Sequence, residues 1–192
     1  GSSKSFGFRD LVCIDSSELK IVTRDTGLIE LGQAFIDVGP MALAEFCRRL
    51  PRDKSEELII ATKEAQKFKE QSRNNARKFL SHIISNFSNA EEFFMMAGIW
   101  RLSKALIVEN DQYCSEFAQR LDKKYGDLLF KYLEMAKQFD EVDSDLASWI
   151  QDSIIIRTLF LAKQGLINKR WLDMKLILHH SKSELPDYDI NR

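Results

Sequence analysis

From residue 52 to residue 185 the chain contains no proline and only three glycines, Gly98, Gly126 and Gly165. Proline removes a backbone donor and glycine costs conformational entropy inside a helix, so a stretch this poor in both favours long helices. Its apolar residues recur at offsets of three and four, which is one helical face. The pattern predicts an all-α fold, an elongated bundle or a short irregular solenoid of six to eight helices. The 192 residues are 44% hydrophobic and 30% charged. That is enough apolar material to bury about 70% of the unfolded chain's surface, which excludes a disordered chain as the general description.

The segments divide as follows. Gly1-Ser2-Ser3 reads as a tag remnant, and residues 4–26 as an N-terminal extension or hairpin. Phe8–Ile14 and Leu19–Thr23 supply two short strands around the turn cluster Asp15-Ser16-Ser17. Residues 27–181 form the helical domain, and 182–192 a polar, flexible tail. Within the domain, Leu28, Leu31, Phe35 and Val38 mark a helix closed by Gly39, and Pro40 opens another carrying Leu43, Phe46, Cys47 and Leu50. Asp53 and Glu56 make a capping box for a rod running to Asn86, roughly 30 residues or about 45 Å long. Ser85–Asn89 is the next turn, with Asn89 and Glu92 capping a helix through Phe93, Trp100 and Leu106. A further helix starts near Gln112 and continues past Met135, with Gly126 bending it or admitting a close neighbour. An acidic loop at Asp140–Asp145, a helix ending at Gly165 and a last helix over Asn168–His180 complete the expectation.

The chain carries 28 Lys+Arg against 29 Asp+Glu. This balance leaves no whole-molecule field to draw it onto nucleic acid or acidic lipid, so such binding needs a local patch. The longest apolar runs are broken by Arg157 and Lys163, well short of a membrane span, so no transmembrane segment is expected. Cys13, Cys47 and Cys114 form no CxxC pair and read as reduced thiols of an intracellular protein, more fitting to the cytoplasm than the nucleus. Cys47 and Cys114 fall on apolar helix faces, as small buried hydrophobes. The sequence holds no GxSxG, P-loop, GxGxxG or HExxH motif, and no cofactor or metal is expected. His179-His180 lacks further ligands at zinc-site spacing. Asp140-Glu141-Val142-Asp143 followed by Ser144 spells an executioner-caspase recognition sequence, and serves equally as an acidic flank for the next helix.

Three surfaces remain. The run Phe93-Phe94-Met95-Met96 with Trp100 wraps right round a helix, so it forms either a buried central helix or a partner-binding surface. Phe93, Phe94, Met95 and Trp100 are the partner-binding candidates. Lys63, Lys67, Lys69, Arg73 and Arg77 give the rod a basic flank able to meet RNA phosphates, acidic lipid or an acidic partner. Finally, Arg77 and His82 stand five residues apart, an Arg-x4-His spacing that resembles the Arg-x(4–6)-His element of HEPN ribonuclease domains. In that family a polar uncharged or acidic residue often follows the Arg, where this chain has Lys78. The resemblance implies RNA cleavage with Arg77 and His82 as catalytic residues. The leading expectation is a non-catalytic scaffold or adaptor module of a larger intracellular protein, gripping a partner or assembling with itself. An RNA-directed module is the alternative.

Overall fold

The structure, a computed structural model, describes residues 4–83 and 87–185. The tag remnant, part of the turn expected at 85–89 and the tail beyond Leu185 lie outside the described residues. Eight α-helices are found among the described residues: α1 (Ser16–Ile36), α2 (Pro40–Cys47), α3 (Arg52–Glu64), α4 (Glu70–Ile83), α5 (Ala90–Leu106), α6 (Asp111–Gln119), α7 (Lys123–Gln138) and α8 (Ser144–Lys163). Short 3-10 turns and one two-stranded sheet join them, so the fold is all-α. The chain divides into two units: one takes the chain up to Thr23 and from Leu102 onward, the other Arg24–Arg101.

In the first unit the N-terminus is not a hairpin. Phe8–Cys13 is a 3-10 helix and Leu19–Thr23 lies inside α1. Asp15-Ser16-Ser17 serves as a helix start, for which these residue types are as well suited as for a turn; Leu19 N donates to Asp15 O at 2.8 Å. Leu19 and Val22 are fully buried, so packing of one helical face overrides the β preference of Ile21, Val22 and Thr23. The sheet instead pairs β1 (Ser5–Phe6) in parallel with β2 (Lys175–Leu176). The expected last helix is absent: Lys169–Asp173 is a 3-10 turn, and the chain then runs extended. Glu18 holds this segment's start, accepting from Asn168 N at 2.7 Å and Arg170 Nη2 at 3.3 Å. The Phe6 and Trp171 rings meet at 4.4 Å.

The helix expected from Gln112 is two helices, α6 and α7, broken at Arg120–Asp122, where the Arg120 guanidinium caps the Ile14 carbonyl. Gly126 does admit a close neighbour, since a Cβ there would lie 2.7 Å from the Ala118 carbonyl oxygen. Asp143 caps α8 by accepting from Leu146 N at 2.8 Å.

In the second unit the long rod is also interrupted. α3 passes into a 3-10 turn (Ala65–Lys67), and Phe68 is extended at φ −86°, ψ 153° before α4 begins. The break lets the Phe68 ring turn inward, where Arg101 lies 5.6 Å from its centroid. Pro51 rather than Asp53 occupies the N-cap of α3, without a side-chain bond, so the expected capping box is not formed. Asn89 caps α5 as anticipated, accepting from Glu92 N at 2.9 Å. α1 crosses α5 at Gly27, where a Cβ would overlap the Phe94 carbonyl oxygen and crowd Gly98 N at 2.8 Å. Only glycine allows the two backbones this close.

Candidate functional site

The partner-binding candidates on α5 are core residues. Phe93, Phe94 and Trp100 are 0% exposed and Met95 is 4%. Phe93 packs on Phe46 at 5.2 Å, and Trp100 stacks on Phe79 at 4.1 Å. From Phe93 to Leu106 every residue but Met96 is buried, so of the two possibilities α5 is the buried helix. Its apolar surplus is consumed by neighbours on all sides.

Several buried polar groups of this unit are paired. Arg101 Nη1 meets Glu30 Oε1 at 3.1 Å with both side chains 2% exposed, and Ser72 donates to Gln33 Oε1. Nearer the surface, Arg24 bridges Glu57 and Glu91, each at 2.8 Å, and Lys54 Nζ reaches Glu91 Oε1 at 2.7 Å. The Arg24 hydrogen bond, assisted by Lys54 and opposed by partial burial, draws the Glu91 carboxyl down to about 2. Glu57 and then Glu91 raise Arg24 above the ordinary guanidinium range.

The basic residues do not share one rod. Lys63 and Lys67 lie on α3 and its 3-10 extension, Lys69 beyond the break, and Arg73 and Arg77 on α4. Lys67 pairs with Glu64 at 3.1 Å and Arg73 with Asp37 at 3.3 Å. Arg77 donates to Asn74 Oδ1 at 3.1 Å. Arg77 and His82 are both exposed, and five residues of helix set them about 140° apart around α4. The His82 ring lies 6.1 Å from Phe79.

In the first unit the extended C-terminal segment is clasped by α8. Asp152, 1% exposed, accepts from His179 N at 2.8 Å, His180 N at 2.9 Å and His180 Nδ1 at 2.9 Å. His180 also stacks on Trp149 at 4.4 Å, and its Nε2 lies 3.6 Å from Asp145 Oδ1. Gln151 Nε2 donates to Ala105 O, which aims its Oε1 at His179 Nε2, 2.8 Å away. That acceptor fixes the proton on His179 Nε2. The Asp152–His180 pair anchors this segment to α8. Asp152 captures the His179 and His180 backbone donors that a helix would have used internally.

Of the thiols, Cys114 is buried, Cys47 half-buried and Cys13 exposed. Burial pushes the Cys47 and Cys114 thiols up, away from reactive thiolate. In the caspase-like tetrapeptide, Val142 is 6% exposed and the Asp143 carboxylate is engaged as the α8 cap.

A surface that sequence reasoning passed over lies in the second unit. α2 contains one charged residue, Glu45, among eight, yet buries only Phe46. Met41 is 86% exposed, with Val38 at 38% before it and Ile60 at 61% on α3. Between α2, α3 and the end of α1 runs a groove of about 360 Å³. Pro40, Leu43 and Ala44 line it from α2, Ile59, Thr62 and Lys63 from α3, Gln66 from the 3-10 turn that follows, and Phe35 and Ile36 from α1. Residues 59, 62, 63 and 66 fall on one helical face. Gly39, at φ 92°, makes the turn that sets α2 against α3. The signal was present in the sequence: Met41-Ala42-Leu43-Ala44, which holds no charge, follows a glycine–proline helix start.

Compared with family models, with curated proteins and with solved structures, the chain gives no match.

Proposed function

We propose that this chain is a non-catalytic helical interaction module that receives a helix of a partner protein in the groove formed by α2 and α3. The observation that carries the reading is α2 itself, a helix with a single charged residue that keeps Met41 and Ala44 in water. A helix apolar on all sides is normally buried, and a contiguous apolar patch beside a groove marks a binding surface. An apolar helix set across a furrow from Ile59 of α3 suits the helix-in-groove mode, in which anchors at i, i+3/i+4 and i+7 fill the furrow. The groove, not α5, is the place to look for the partner.

The test is a titration of an amphipathic helical peptide built from Leu, Ala and Gln, uncharged throughout, into isotopically labelled protein. Amide shifts are expected to cluster on Leu43, Ala44, Ile59 and Thr62. Ala44→Asp, an exposed change in the furrow, should abolish them while the helical circular dichroism signal is retained. Shifts absent from this cluster, or indifferent to Ala44→Asp, overturn the reading.

A further inference from the structure

We propose that the occupant of the groove is an acidic amphipathic helix, with a partner carboxylate meeting Lys63. This rests on the groove reading above and adds the partner's charge.

The charge pattern at the groove is one-sided. Lys63 is the charged residue among those lining it, and no carboxylate lines it. The carboxylates closest in sequence to the lining residues are already matched. Asp37 pairs with Arg73 at 3.3 Å, Glu45 with Arg48 at 3.0 Å and Glu64 with Lys67 at 3.1 Å. Among the described residues Lys63 has no ion-pair partner. A cation beside apolar surface, with its neighbours' charges neutralised, selects a ligand that is apolar on one face and anionic at its edge. Size also suits a short helical segment: the wall from Ile59 to Gln66 is about 10 Å long, enough for two turns of a partner.

A second copy of this chain fits less well. A two-fold pairing is isologous, so groove against groove would bring two Lys63 cations into one interface with no groove carboxylate to offset them. Like charges so placed oppose that pairing.

The experiment uses the same Leu/Ala/Gln peptide in three forms, with Glu, Gln or Lys flanking the leucine stripe, followed by fluorescence anisotropy at low and high salt. The Glu peptide should bind about fivefold more tightly than the Lys peptide, and the gap should narrow at high salt. Lys63→Glu, at an exposed position, should invert that order while leaving the Gln peptide within about twofold. Equal affinity of all three peptides, with binding still lost in Ala44→Asp, overturns the acidic occupant and keeps the groove. No binding by any peptide overturns both. Concentration-dependent dimers that Ala44→Asp dissolves, measured by light scattering, assign the groove to a second copy and overturn the proposal.

Discussion

α2 and α5 are both strongly apolar helices, yet α5 buries nearly every side chain after Glu92 and α2 buries only Phe46. Composition therefore does not separate a core helix from a binding helix. Neighbours do: α5 has α1 at Gly27 close enough to touch its backbone, Phe46 and Phe79 on its aromatic residues, and Glu30 matched to Arg101. α2 rests on its inner side through Phe46 and has nothing over Met41. An apolar surplus reads as an interface only after the neighbours are known.

Mutations break or sharpen this contrast. The largest effect is expected on α5, where Trp100→Ala should cost about 3–5 kcal/mol of unfolding free energy, read by urea denaturation. Phe94→Glu, which buries a charge, should leave the chain unfolded. If either variant kept wild-type stability, α5 would not be core. Arg101→Met removes the buried ion pair with Glu30 and should cost about 3–5 kcal/mol. The double change Glu30→Leu with Arg101→Met should recover most of that loss, separating the charge effect from the packing effect. Gly27→Ala forces α1 and α5 apart and should cost about 1–3 kcal/mol, seen as a lower thermal midpoint. A smaller effect belongs to Glu91 at the start of α5. Its carboxyl, held near 2 against an ordinary 4.5, contributes stability that is present above about pH 4.5 and is lost as pH falls toward 2. The gap between wild type and Glu91→Gln should therefore close over that window, and shrink with salt because the group is half exposed. The smallest effect is on α2: Met41→Ser should change stability by less than about 0.5 kcal/mol while weakening binding of the uncharged peptide.

The legible part of the fold was local. Gly39-Pro40 and Gly165 punctuate the chain where expected, and Asn89 and Asp143 cap the helices they precede. The rod over 53–86 failed because helical phase in Leu58, Ala65, Ala76 and Phe79 continues across Phe68. Only the polar middle of the stripe, Lys69 to Ser72, hinted at the break. The hairpin failed because Asp15-Ser16-Ser17 signals a turn and a helix cap alike. As for the site, the aromatic density of Phe93-Phe94 drew the reading to α5. The groove draws on α1, α2 and α3, and no single helix sequence displays a furrow formed by three.

By itself the sequence determined that this chain is helical, where several helices begin and end, and that among the described residues no helix is long and apolar enough to cross a membrane. Those properties follow from short-range physics: backbone donors, φ limits at proline and glycine, and the 3.6-residue period. Tertiary structure alone decided which apolar residues are core and which are surface. It also decided that the 179–180 backbone is held by Asp152, and that Lys63 stands without an ion-pair partner among the described residues. Each depends on groups far apart in the chain meeting in space, and burial and pairing belong to that meeting rather than to any residue.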